Sequence, residues 1–246
     1  MPGTANDEGA SIKTIGIIGG MSWQSSRDYY ELINEEVAGR LGGFHSADLV
    51  LVSVDFAPIE QMQQRGDWEA AGAALVEAAR RTEAAGAEVL ILATNTMHKV
   101  APAVAGAVSI PFIHIADATG RAIAATGLQT VGLLGTRYTM EQDFYRGWLE
   151  SNYGIAVAIP EPDDRALIND VIFGELCLGV TNDDSKAQYR RIVERLVSDG
   201  AQGVILGCTE IGMLIGAEDS PVPVFDTTAL HAQAAVAAAL DGDRES

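Results

Sequence analysis

The chain has 246 residues, enough for one large or two small domains, and its 48% hydrophobic content is typical of a globular protein. Its net charge of −18, from 34 acidic and 16 basic residues, disfavours nucleic acids and anionic membranes as partners. No apolar run approaches the roughly 20 residues that a transmembrane helix requires, so we expect no membrane span.

The first residues, MPGTANDEGAS, lack the basic and apolar segments of a signal peptide, and we interpret residues 1–11 as a disordered tail. Two cysteines are too few for a disulfide framework, which favours an intracellular, cytoplasmic protein. The four histidines show no metal-ligand spacing, so we expect neither a metal nor another cofactor.

Apolar runs alternate with helical patterns along both halves of the chain. In the first half the runs lie at 12–19, 48–54 and 88–93, and the helical patterns at 24–39, 67–85 and 116–126. In the second half strands are predicted near 129–134, 155–159 and 203–206, and helices near 140–152, 163–175, 183–198 and 227–240. This alternation predicts parallel sheets, with the last helix packing back on the first half.

Three segments of the first half recur in the second, in the same order. IKTIGIIGG from Ile12 matches LQTVGLLGT from Leu128 (128 − 12 = 116), GAEVLILATNTMH from Gly86 matches GAQGVILGCTEIG from Gly200 (200 − 86 = 114), and IPFIHIADAT from Ile110 matches VPVFDTTAL from Val222 (222 − 110 = 112). Strand-to-helix openings resemble one another in general, but the shared order and spacing favour an internal duplication. We therefore predict two pseudo-symmetric α/β domains with parallel sheets and an active site in the cleft between them. The predicted boundaries are 12–115 plus 226–246 for the first domain and 116–225 for the second.

Thr94 and Cys208 occupy equivalent positions in the repeat (208 − 94 = 114), each at the carboxyl end of a predicted strand. Ligands of such folds bind beyond these strand ends. Two facing domains would place the two side chains on opposite sides of one ligand, which is the arrangement that inversion at a carbon by two acid-base groups requires.

The two groups differ in chemistry. Cys208 stands at a predicted strand-to-helix junction, where a helix N-terminus would lower the pKa of the thiol and favour the thiolate; the alternative role is that of a small buried hydrophobic residue. Cys177, in the helical pattern INDVIFGELCLG, is interpreted as such a buried residue. Thr94 needs an adjacent base to take a proton, and its alternative role is a helix cap.

Donors for a substrate carboxylate are available beside these two residues, on Asn95, Thr96 and Thr209 and on the backbone of both turns. The glycine turn in IGIIGGMSW has neither a GxGxxG motif nor a Walker lysine, so we reject nucleotide binding. A second carboxylate would need a cation, and the sequence does not choose among Arg65, Lys99, Arg121 and Arg137.

The segments NTMH and GCTE, preceded by IGIIGGMSW, resemble the aspartate/glutamate racemase family, and most of all its bacterial L-aspartate/glutamate-specific branch. The resemblance covers Ile12 to Leu240 and includes LGGFHSA, SVDF, IHIADATGRAI, LLGTRYTMEQDFYRG, INDVIFGELCLG and PVFDT. Most members carry a cysteine in each half, whereas Thr94 replaces the first here, as in the L-specific branch. No lysine stands near residues 168–178 to bind the distal carboxylate.

The resemblance implies a cofactor-independent racemase that interconverts L- and D-aspartate or glutamate and favours the L-substrate. It implies Thr94 and Cys208 as the proton donors and acceptors, and the substrate-binding positions Met21, Gln63, Asn95, Thr96, Thr209 and Glu210. We expect a homodimer with a small acidic amino acid as substrate and no nucleic-acid or membrane partner. Two alternatives remain open: a single-cysteine decarboxylase of malonate-type acids on the same fold, and an amino-acid binding protein without catalysis.

Overall fold

The computed structural model describes residues 12–240, and these form two four-stranded sheets covered by helices. The predicted tail at residues 1–11 lies outside the described residues. None of the helices between residues 12 and 240 is both long and apolar enough to cross a membrane.

The first sheet is parallel, with the strand order β2-β1-β3-β4. We refer to the part of the chain that builds it as the first half. Its elements are β1 (Ile15–Gly19), α1 (Trp23–Leu41), β2 (Leu49–Ser53), α2 (Phe56–Arg65), α3 (Trp68–Ala84), β3 (Val89–Leu92), α4 (Ala101–Ala105) and β4 (Phe112–Ile113).

The second sheet is also parallel and repeats this order as β6-β5-β7-β8, so each strand has a counterpart at the same place in the first sheet. The elements of this second half and the last helix are α5 (Ile115–Thr126), β5 (Thr130–Gly135), α6 (Arg137–Glu141), α7 (Asp143–Tyr153), β6 (Ala156–Ala158), α8 (Pro162–Gly174), α9 (Asp183–Ser198), β7 (Val204–Gly207), β8 (Val224–Asp226) and α10 (Thr227–Leu240). The predicted fold class, two parallel α/β units of matching topology, is confirmed.

The C-terminal helix α10 packs on the first half, although it follows the last strand of the second. Its Ala232, Ala235 and Val236 are buried in one cluster with residues of β1, β3 and α1, such as Ile17 and Ile33. Burial of apolar surface, at about 25 cal/mol per Å², holds the helix there. The last helix therefore packs back on the first half, as expected, whereas the domain boundaries stay a prediction.

Several elements differ from the sequence patterns. The predicted helix at 140–152 is interrupted at Gln142, whose extended backbone (φ −99°, ψ 150°) separates α6 from α7. Helices α2 and α4 were not predicted. Pro58 lies in the first turn of α2, where a backbone N–H has no helical partner to lose, and Asp55 caps that turn through its carboxylate.

Candidate active site

The eight candidate residues line a single cavity between the two halves, with a volume of about 20 Å³. Met21 follows β1, Thr94–Thr96 follow β3 and Cys208–Glu210 follow β7, so the carboxyl ends of three strands meet here, as expected for parallel sheets. Gln63 comes from α2. A cavity this small has room for about one water molecule.

Five further residues line the cavity: Phe56, Thr136, Ile172, Phe173 and Cys177. The repeat could have indicated one of them, because Thr136 occupies the position of Gly20 in the first turn (136 − 116 = 20). Cys177 is half-buried and packs against the core of the second half, in agreement with its interpretation as an interior residue, but it does not lie in an α-helix. Cys177 lies in a short 3₁₀ turn, Leu176–Leu178, that follows α8, and it forms part of the cavity wall.

Glycines allow the chain to place Cys208 at the end of β7. Gly207 pairs with Gly135 of β5, and a Cβ on Gly207 would lie 2.8 Å from the carbonyl oxygen of Leu134 and 2.6 Å from a methyl of Leu133. A side chain at residue 207 would therefore separate the two strands. The backbone turns immediately afterwards and directs Cys208 into the cavity wall.

Cys208 is a buried thiol that donates a hydrogen bond to Glu210, with 2.9 Å between Sγ and Oε2. The expectation of a resting thiolate at a helix N-terminus was wrong. Only a short 3₁₀ turn, Ile211–Met213, follows the strand. Burial and the neighbouring Glu210 carboxylate both raise the pKa of the Cys208 thiol well above its ordinary value, because they disfavour a second negative charge.

Glu210 accepts three hydrogen bonds in the closed site. Its Oε2 accepts from Cys208 and from the Thr209 hydroxyl at 2.8 Å, and its Oε1 accepts from the Ser22 hydroxyl at 2.7 Å. The side chain is only 2% exposed. Among the described residues, three donors and no acceptor surround this carboxyl group, as an ionised carboxylate requires. Glu210 can therefore act as a proton acceptor for the neighbouring Cys208.

Hydrogen bonds join the two halves in a reciprocal pattern. Glu210 is the counterpart of Thr96 in the repeat (210 − 96 = 114). Glu210 bonds to Ser22 in the first turn of the first half, and Thr96 bonds to Thr136 in the first turn of the second half, at 2.9 Å between hydroxyl oxygens. The two bonds join equivalent turns, although Thr136 is the counterpart of Gly20 and not of Ser22, and the side chains differ: one half presents a thiol and a carboxylate, the other two hydroxyls.

Thr94 is positioned through its backbone. Its N–H donates to the carbonyl of Leu92 at 2.8 Å, and its own carbonyl accepts from Nδ1 of His98 at 2.7 Å. The alternative role of a helix cap is not observed, since the following 3₁₀ turn begins after Asn95 without a side-chain cap. Within residues 12–240 no basic side chain forms a hydrogen bond with the Thr94 hydroxyl, which the cavity therefore leaves for a ligand.

Three histidines lie behind the Thr94 turn, with ring centroids 4.6 Å apart for His98 and His114 and 5.8 Å apart for His98 and His231. Each accepts a hydrogen bond at one ring nitrogen: His98 from the Ile115 N–H, His114 from the Ala116 N–H, and His231 from the Tyr29 hydroxyl. Burial lowers the pKa of His114 and His231 to about 4 and that of His98 well below its ordinary value. All three rings are neutral at pH 7.

None of the four cations considered for a distal carboxylate lines the cavity. Arg65 and Arg137 are exposed. Lys99 and Arg121 instead line a separate, larger cavity of about 800 Å³, where Arg121 pairs with Asp117 at 2.7 Å and the Lys99 ammonium lies 4.0 Å from the centre of the Trp68 ring. The predicted acidic side chain of the substrate thus lacks its expected partner among residues 12–240.

Three known proteins to which this chain is similar are described as racemases or as homologues of racemases. A sequence model described as Asp/Glu/Hydantoin racemase matches residues 18–235. A broad specificity amino-acid racemase from Bacillus subtilis (strain 168) is 24% identical over 231 residues, which cover 92% of this chain and 98% of the relative. A crystal structure from Yersinia pestis, provisionally assigned as an Asp/Glu racemase, is 52% identical with a TM-score of 0.87 and covers 93% of this chain and 100% of its own. An aspartate racemase homologue from Pyrococcus horikoshii OT3 is 35% identical with a TM-score of 0.81 and covers 93% and 99%.

Proposed function

Since the chain belongs to the Asp/Glu/Hydantoin racemase family, we propose that it inverts an α-amino acid at Cα by proton transfer, without a cofactor. The observation that supports this most directly is the meeting of Cys208 and Thr94, from equivalent turns of the two halves, at one closed cavity. Acid-base groups that approach a carbon from two sides can remove a proton from one face and return one to the other.

Cys208 and Glu210 act together as the base of the first step. The thiol proton passes to Glu210 Oε2 along their hydrogen bond, and the thiolate so formed removes the proton from Cα, forming an S–H bond as the C–H bond breaks. The negative charge moves onto the substrate carboxylate. Asn95, Thr96 and Thr209 offer side-chain donors to that carboxylate from the two turns.

Thr94 supplies the proton for the opposite face. Its O–H bond breaks as the new Cα–H bond forms, and the proton held by Glu210 then returns to Thr94 through water when the site opens. The reverse direction needs a deprotonated Thr94 at the start, which is disfavoured because an alcohol is a far weaker acid than a thiol. The resemblance assigns the face that Cys208 serves to the L-enantiomer.

Incubation with L- and D-amino acids in deuterated water tests the proposal. We expect the Cα proton to disappear from the NMR spectrum as the opposite enantiomer accumulates, and L-aspartate and L-glutamate are included because relatives carry those names. Tight binding without exchange would favour the binding-protein alternative, and release of carbon dioxide from a disubstituted malonate would favour the decarboxylase. The cytoplasmic location and the homodimer stay predictions.

Thr94→Cys is expected to raise the saturating rate from the D-enantiomer relative to that from the L-enantiomer. The equilibrium constant of racemisation is one, so kcat/KM must be equal in both directions and the asymmetry can appear only as parallel changes in kcat and KM. A second thiol is a stronger acid than a hydroxyl and makes the D-direction base easier to form. The measurement is kcat for each enantiomer by circular dichroism.

Thr94→Ser is the matched control, since it keeps the hydroxyl and should leave the ratio of the two kcat values near that of the wild type. Thr94→Val keeps the shape, removes the hydroxyl and should abolish inversion. An unchanged ratio in a correctly folded Thr94→Cys would show that Thr94 binds or supports the turn and that another group protonates the second face.

A further inference from the structure

The walls of the closed cavity carry a single charged side chain, that of Glu210, among the residues the structure describes. Away from the two reactive turns the lining is uncharged, and most of it is apolar: Met21, Phe56, Ile172 and Phe173. Ile172 is completely buried and Met21 is 4% exposed, whereas Phe56 and Phe173 are half-buried.

The charges of a bound amino acid can be counted against this lining. The α-ammonium and α-carboxylate groups cancel each other, and Glu210 leaves a total of one negative charge in the site. An acidic side chain would add a second negative charge with no cation beside it. Burying an unpaired carboxylate is costly, and a nearby like charge adds to that cost.

Several neutral polar groups of the cavity already have hydrogen-bond partners within the protein, and none of the lining side chains within residues 12–240 carries the positive charge that an acidic side chain would need. Gln63 donates to the sulfur of Met97 at 3.0 Å, and Asn95 donates to the Thr227 hydroxyl at 2.9 Å. The two hydroxyls of Thr96 and Thr136 bond to each other. A substrate side chain that meets Ile172 and Phe173 therefore gains more from apolar contact than from ionic pairing.

We infer that this site prefers an amino acid with an uncharged side chain, of the size of asparagine, glutamine or methionine, over aspartate and glutamate. The inference rests on the proposed function, because it concerns the substrate of the same proton transfer. It assigns the selection to Phe56, Ile172 and Phe173, which contact the side chain and exclude water from it.

Isosteric pairs isolate the effect of charge. Aspartate and asparagine differ little in shape, as do glutamate and glutamine, so the initial rate of Cα exchange in deuterated water can be compared within each pair. We expect kcat/KM for each amide to exceed that of its acid by at least about tenfold, because desolvating an unpaired charge opposes binding. We expect methionine, which is unbranched and uncharged, to exceed glutamate as well.

A cation placed on the apolar wall should reverse this preference. Phe173 is half-buried and lines the cavity, so Phe173→Lys can keep an aliphatic stem in place while its ammonium pairs with an acidic side chain. We expect the ratio of aspartate to asparagine kcat/KM to rise at least about tenfold in Phe173→Lys. Phe173→Met, the matched uncharged control, should not change the ratio.

The outcomes separate this inference from the proposed function. Exchange of aspartate or glutamate faster than that of its amide by the wild type would overturn the preference and leave the racemase proposal intact. An unchanged ratio in a folded Phe173→Lys would overturn the role of the apolar wall. Absence of exchange with all five amino acids would refute the racemase proposal itself.

Discussion

Cys208→Ala is expected to lower the rate of racemisation by about 10³-fold while the protein remains folded, because a general acid-base group contributes about 10²–10⁴-fold. In the proposed mechanism the thiol group exchanges protons with Cα. Glu210 could take over this role only by moving toward Cα, which would break its hydrogen bonds with Ser22 and Thr209. Cys208→Ser restores a donor to Glu210 but not an acidic one, so we expect almost the same loss. Steady-state kinetics with the preferred substrate measures both.

Cys177→Ala is the matched control, since it removes the other thiol of the same cavity. Burial also raises the pKa of Cys177, and it forms no hydrogen bond with Glu210, so we expect a much smaller loss. Thermal unfolding and circular dichroism verify the fold of each variant. Turnover by a folded Cys208→Ala within tenfold of the wild-type rate would place the proton transfer on another group.

Acid is expected to destabilise the protein strongly between pH 6.5 and pH 4. The pKa of His114 and of His231 is about 4 in the folded chain and about 6.5 when unfolded, so over this interval the unfolded state binds more protons. Stability is therefore complete above pH 6.5 and declines as the pH falls toward 4. Each of the two histidines contributes a loss of about 3 kcal/mol, and His98, whose pKa is also lowered, adds to it.

Urea denaturation at pH 7 and pH 4 measures this fall in the free energy of unfolding. His231→Gln should reduce the fall by about 3 kcal/mol, because it removes one titrating ring. His45 is exposed, and His45→Gln is the matched control that should leave the fall unchanged. An equal fall in His231→Gln and the wild type would assign the acid sensitivity to carboxylates instead.

The sequence was sufficient to predict that the Thr94 and Cys208 turns meet, because both lie at strand ends and repeat. Thr94 and Cys208 follow strands whose position depends on local apolar runs, and parallel strands bring their carboxyl ends to one edge. Thr94 and Cys208, which are 114 residues apart in the sequence, therefore line the same cavity. The neighbouring Asn95, Thr96 and Thr209 follow from the same positions, whereas Glu210 was expected from the family resemblance alone.

Features that depend on contacts between distant segments could not be predicted in this way. The raised pKa of Cys208 follows from its burial and from the orientation of Glu210, and neither is encoded in the local pattern GCTE. Ile172 and Phe173 stand on α8 in an ordinary helical pattern, and only tertiary packing shows that both line the cavity. The cation expected for an acidic substrate was likewise undecided, because surface and site arginines look alike in sequence.

The reciprocal bonds of Ser22 with Glu210 and of Thr96 with Thr136 make access to the site a conformational event. Each is worth about 1 kcal/mol net, and both cross from one half to the other beside the cavity, so any separation of the halves that admits a substrate or releases a product breaks both. Turnover therefore includes two passages through an open form whose lifetime does not depend on the acidity of Cα. A solvent of higher viscosity would slow these passages without altering the proton transfers, and the fastest substrates would be limited by the opening of the protein rather than by its acid-base groups.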